Sequence, residues 1–83
     1  MTQPYTSQIK TKLSLVVFIK GSSTPLILYV ENPIAVYNEL VQAIKTSSAG
    51  AKLIEKETLG PIKKIAILST QIASVALQEE QYQ

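Results

Sequence analysis

The chain contains no histidine, no cysteine, no aspartate, no arginine and no tryptophan. Each absence removes a class of chemistry. Without cysteine there is no disulfide, and without cysteine or histidine the usual ligands of a zinc site are missing. Without histidine a serine nucleophile lacks its common base, leaving only lysine for that task. Without arginine, the planar fork that grips phosphate and guanine bidentately is gone. Glycine is scarce as well, with three in the whole chain. No Gly-x-x-x-x-Gly-Lys phosphate loop, dinucleotide fingerprint or Gly-x-Ser-x-Gly elbow is present. The expectation is a protein that is not an enzyme and that uses no cofactor and no metal.

What remains is 83 residues with eight lysines, six glutamates and a formal net charge of +2. A domain of this size buries only roughly 60% of the surface its unfolded chain exposes. Such domains often recruit disulfides, metals or a second chain, and composition leaves only the last. The charged fraction, 17%, lies below the ~25% of an average protein, and low surface charge favours self-association. The longest apolar runs, Leu15 to Ile19 and Leu26 to Val30, are too short to span a membrane as a helix. The polar start carries no signal-peptide pattern. With the zero cysteine count, the expectation is a soluble, cytoplasmic protein without membrane insertion.

Residues 1–8 read as a flexible N-terminal arm, 9–78 as a single α+β domain and 79–83 as a polar C-terminal tail. From Ile9 the pattern has period two. Ile9, Leu13, Leu15, Val17 and Ile19 share one face, and Lys10, Lys12, Ser14, Val16, Phe18 and Lys20 the other. This predicts a half-buried strand. Gly21-Ser22-Ser23-Thr24 predicts a turn, and Pro25 can precede a strand. Leu26, Leu28 and Val30 oppose Ile27 and Tyr29 in a second strand, completing a hairpin.

Asn32-Pro33 predicts a helix start, with the Asn side chain capping an orphan N–H and Pro tolerated at the first position. Val36, Tyr37, Leu40, Val41 and Ile44 then form a helical stripe, which ends in Thr46-Ser47-Ser48-Ala49-Gly50. Ala51–Thr58 predicts a charged, edge-like strand. Gly60-Pro61 breaks it, and Ile62–Leu68 predicts another. After Ser69-Thr70-Gln71, Ala73, Val75 and Leu77 alternate with Ser74, Ala76 and Gln78. A strand is preferred there, with a helix from Ile67 to Glu80 as the alternative. The predicted architecture is an antiparallel sheet of four to five strands with one helix packed on one face, in the order β-β-α-β-β-β.

Pro25-Leu26-Ile27-Leu28, the helix Ala35 to Ile44, and Lys63-Lys64-Ile65-Ala66-Ile67-Leu68-Ser69-Thr70-Gln71-Ile72-Ala73-Ser74-Val75 resemble a family of small cyanobacterial proteins with no assigned activity. The resemblance implies a cytoplasmic, cyanobacterial setting. It carries over no functional residues.

Two candidate sites follow from the pattern. If the helix covers Leu13, Leu15 and Val17, the opposite face presents Val16 and Phe18, with Ile27 and Tyr29 nearby. An exposed apolar cluster of this kind is an interaction surface; in a sheet curled into a partial barrel the same residues are core. The expected function is therefore a protein-interaction module or small accessory subunit, self-associating as a homodimer through this face or a strand edge. The alternative is weak nucleic-acid binding through Lys10, Lys12, Lys20, Lys63 and Lys64, set against their simpler role as solvated strand ends. Glu55 and Glu57 share a strand face, and a charged exposed face explains them better than acid–base work.

Overall fold

A computed structural model describes residues 10–82. Its elements are β1 (Lys10–Ile19), β2 (Leu26–Leu28), α1 (Pro33–Lys45), β3 (Leu53–Glu57), β4 (Lys64–Leu68) and β5 (Ile72–Tyr82), with 3-10 turns at Ser47–Ala49 and Ser69–Gln71. The order β-β-α-β-β-β and the α+β class agree with the sequence expectation. The expected arm over residues 1–8, and Ile9 with it, lie outside the described residues.

The single sheet does not hold. The five strands divide into a three-stranded antiparallel sheet, β2-β1-β5, and a separate β3-β4 hairpin. Two local features cause the division. β2 is only three residues long, because the chain must enter the helix at Asn32, so its contact with the second hairpin shrinks to one isolated bridge between Tyr29 and Leu59. The Ser69–Gln71 turn then redirects the chain from β4 into β5 and across to β1.

Local chemistry explains the elements. Gly21, at φ +81, supplies the left-handed residue of the β1-β2 turn, and Ser22 Oγ accepts from Thr24 N. Asn32 Oδ1 accepts from Ala35 N at 3.2 Å, as its capping role predicts. Thr46 N closes the helix on the Gln42 carbonyl at 3.0 Å. The β3-β4 connection is held by Thr58, whose N–H donates to the Lys63 carbonyl and whose hydroxyl donates to that of Ile62.

The core gathers Leu15, Val17 and Leu28 from the first sheet, Leu40 and Ala43 from the helix, Ile54 and Ile67 from the second hairpin, and Ile72. Ala43 lies outside the helical stripe read from the large side chains, yet it is buried. On β3, Ile54 and Lys56 turn inward, and Lys56 Nζ meets Glu39 Oε1 of the helix at 2.6 Å. Leu53, Glu55 and Glu57 face outward, as the sequence expects of a charged strand.

The last segment is a strand, not a helix, and it is longer than expected. Residues 79–82, read as part of a polar tail, continue β5 and pair with Lys10 to Leu13. Val16, Phe18 and the other solvent-side residues of β1 are therefore central to a sheet whose long members are β1 and β5. Among the described residues no helix is long and apolar enough to cross a membrane.

Candidate interaction surface

The face of the first sheet turned away from the helix is built by register. Val16 pairs with Ile27 on one side and Ala76 on the other, Phe18 with Ser74, Ser14 with Gln78, and Lys12 with Glu80. The structure thus brings Val16, Phe18, Ile27 and Tyr29 onto one face, but not as equals. Val16 is only 7% exposed, screened by its neighbours on both flanking strands, while Phe18 and Ile27 are 41% and 42% exposed. Tyr29 is half-buried and engaged in a polar cluster.

That cluster occupies one end of the face. Glu80 accepts from the Ser14 hydroxyl at 3.0 Å, and the Tyr29 hydroxyl lies 3.2 Å from both of its carboxylate oxygens. The Lys12 ammonium sits 4.5 Å from the centroid of the Tyr29 ring, a cation–π contact worth about 0.5–1 kcal/mol at an exposed site. Ser14 is fully buried and needs this partner, since an unpaired buried hydroxyl is costly. Sequence reading missed Ser14 and Glu80 because they meet across 66 positions of chain, where no local pattern reaches.

Partial burial of the Tyr29 phenol, then its hydrogen bond to Glu80, then the Glu80 charge push its pKa above the ordinary value. A folded value above the unfolded one means that the contribution is fully present below the ordinary tyrosine pKa of about 10 and is lost as pH rises through the raised value. Stability of the wild type should therefore fall more steeply than that of Tyr29→Phe as pH rises above about 10. Urea unfolding at a series of pH values checks this. Parallel alkaline limbs would show that the phenol is not coupled to folding.

The lysines do not assemble into one patch. Lys12 lies near the start of β1 and Lys20 just past its end, about 26 Å apart along the strand direction. Lys12 shares a cleft of about 500 Å³ with Gly60 and Pro61, so it lies toward the end where Lys63 and Lys64 enter β4. Lys12 stands opposite Glu80, and Lys64 opposite Glu57. Lys10 pairs in register with Tyr82. A second concavity, of about 350 Å³, adjoins the first at Val30 and Leu59 and carries Glu31 and Glu57 on its rim. Among the described residues no three carboxylates gather as a metal site.

The other feature of the surface is an edge. β5 hydrogen-bonds to β1 along one side, and among the described residues no backbone segment pairs with its outer side. Open edges are usually blunted by shortness, proline or charge. β2 has three residues and follows Pro25, and β4 has five, begins with Lys64 and follows Lys63. β5 has eleven, and from Ile72 to Gln78 it carries no charge, proline or glycine. Compared with protein-family models, with curated proteins and with solved structures, the chain has no match.

Proposed function

We propose that this protein is a non-catalytic interaction module, acting as a small accessory subunit, that accepts a partner strand along the outer edge of β5. The observation that carries this reading is the long, uncharged and unblunted edge over Ile72–Gln78. Strand addition draws its affinity from main-chain hydrogen bonds, and β5 offers a row of such groups with no backbone partner among the described residues. The apolar face is the weaker surface. Only Phe18 and Ile27 stand half out of it, and two such side chains fall short of the several hundred Å² that mark a docking patch. A cytoplasmic setting belongs to the same proposal, on the absence of cysteine.

The test uses a short synthetic peptide of alternating valine and threonine, a strand former unrelated to β5 in sequence, in two N-methylated forms. One form blocks alternate amides beginning at the first residue, the other those beginning at the second. In a strand only one of the two sets points toward the neighbouring edge. Strand addition predicts that one form keeps saturable binding, read by fluorescence anisotropy, and the other loses it. Equal binding of both forms, or binding by neither, would overturn the reading.

A further inference from the structure

We infer that the strand β5 accepts is β5 of a second copy, so that two chains form one continuous six-stranded antiparallel sheet, β2-β1-β5-β5-β1-β2. This rests on the edge reading above and names its partner. The argument is the distribution of charge along the edge. Both glutamates of β5, Glu79 and Glu80, lie near its C-terminal end. The other end is positive. Lys20 donates its backbone N–H to the Gln71 carbonyl at 2.8 Å, next to the start of β5. Lys45 closes α1, and the turn that follows the helix packs against the Ser69–Gln71 turn from which β5 begins. Lys12, which stands opposite Glu80 on the neighbouring strand, holds its ammonium over the Tyr29 ring on the outer face.

On the outer side of the sheet Lys12 stands opposite Glu80, but on the helix side the edge carries Glu79 at one end and Lys45 near the other, with an apolar middle, and such an edge is complementary to itself when turned around. A two-fold axis at Ala76 sets Ala76 against Ala76, Val75 against Leu77 and Ser74 against Gln78. Ala73 then faces Glu79, and Ile72 faces Glu80. The centre consists of apolar and small neutral pairs, which stabilise cross-strand contacts. The glutamates of each copy fall at the lysine end of the other. Glu79 shares the helix side of the sheet with Val75 and Leu77, since it pairs with Leu13 as they pair with Val17 and Leu15. It therefore approaches the end of α1 that carries the exposed Lys45 of the second copy. A parallel arrangement would instead stack glutamate on glutamate, which like-charge repulsion opposes. An isologous two-fold interface is also the commonest way for a chain to meet its own copy.

The test is a charge exchange read by light scattering over a range of protein concentrations. The wild type should move from monomer to dimer mass as concentration rises. Glu79→Lys sets lysine against lysine and Lys45→Glu sets glutamate against glutamate, so each alone should self-associate about tenfold more weakly. Mixed in equal amounts, the two variants should recover the wild-type dimerisation constant, because every lysine then meets a glutamate. Far-ultraviolet circular dichroism confirms that each variant is folded. A wild type that stays monomeric at every concentration would overturn the second copy as partner, as would a dimer indifferent to both substitutions and to their mixing. Selective binding of the methylated peptides alongside either result would leave the edge reading standing and remove only the homodimer. Failure of both peptides would remove the edge itself.

Discussion

Leu15→Ala should lower the free energy of unfolding by about 3 kcal/mol. Leu15 is completely buried at the centre of β1, opposite Leu28 on β2 and Leu77 on β5. Its side chain joins the same buried cluster as Leu40 of the helix and Ile54 and Ile67 of the second hairpin. Truncation loses transfer free energy and leaves a cavity that sheet and helix cannot both collapse to fill. A domain of this length has a total stability of only about 4–12 kcal/mol, so the loss is a large fraction of the whole. Leu53→Ala is the matched control. Leu53 is 56% exposed on the outer face of β3, and its truncation should cost under about 1 kcal/mol. Urea midpoints of the two variants decide the point. Equal shifts would mean that the core is not where the structure puts it.

Val16→Glu and Phe18→Glu should behave differently although the two residues lie on one face of one strand. Val16 is 7% exposed between Ile27 and Ala76, and a carboxylate there must displace its neighbours or lose hydration. The expected loss is about 2–4 kcal/mol, in the range of buried unpaired charges. Phe18 is 41% exposed, and a glutamate in its place reaches water. That variant should stay folded, with a change of about 1 kcal/mol or less. Thermal melts of the two proteins test the contrast. An unfolded Phe18→Glu variant would place Phe18 in the core and would make the face, not the edge, the structurally important surface.

The contrast also marks how far the sequence could be read. Period-two alternation set Val16 with Phe18 on one strand and Ile27 with Tyr29 on the other, and the register that pairs Val16 with Ile27 put the two pairs on one face. It could not tell Val16 from Phe18, because burial on an open face depends on which strands flank a residue. β1 gains β5 as its second neighbour only through a pairing that joins residues far apart in the chain. The same pairing lifts Glu80 out of what reads as a polar tail and sets it under Ser14 and Tyr29. The length of β5, and with it the open edge, was hidden for the same reason. Glutamine and glutamate after Leu77 carry no strand preference of their own.

By itself the sequence determined the elements and what they bury. The Asn32 cap, Pro33 and the Leu40 stripe specify the helix. The alternation around Leu15 and Leu28 specifies strands with one apolar face, whereas the segment around Val75 stood open between strand and helix. These are local properties of backbone preference and side-chain polarity, and they act over a few residues. Only the tertiary structure decided that the strands form two sheets, which residues of the outer face are screened, and that among the described residues β5 is an edge strand of the first sheet. Those outcomes depend on which segments pair across the chain. A one-residue change of register would reverse every inward and outward assignment, and nothing local to β5 sets the register it takes beside β1.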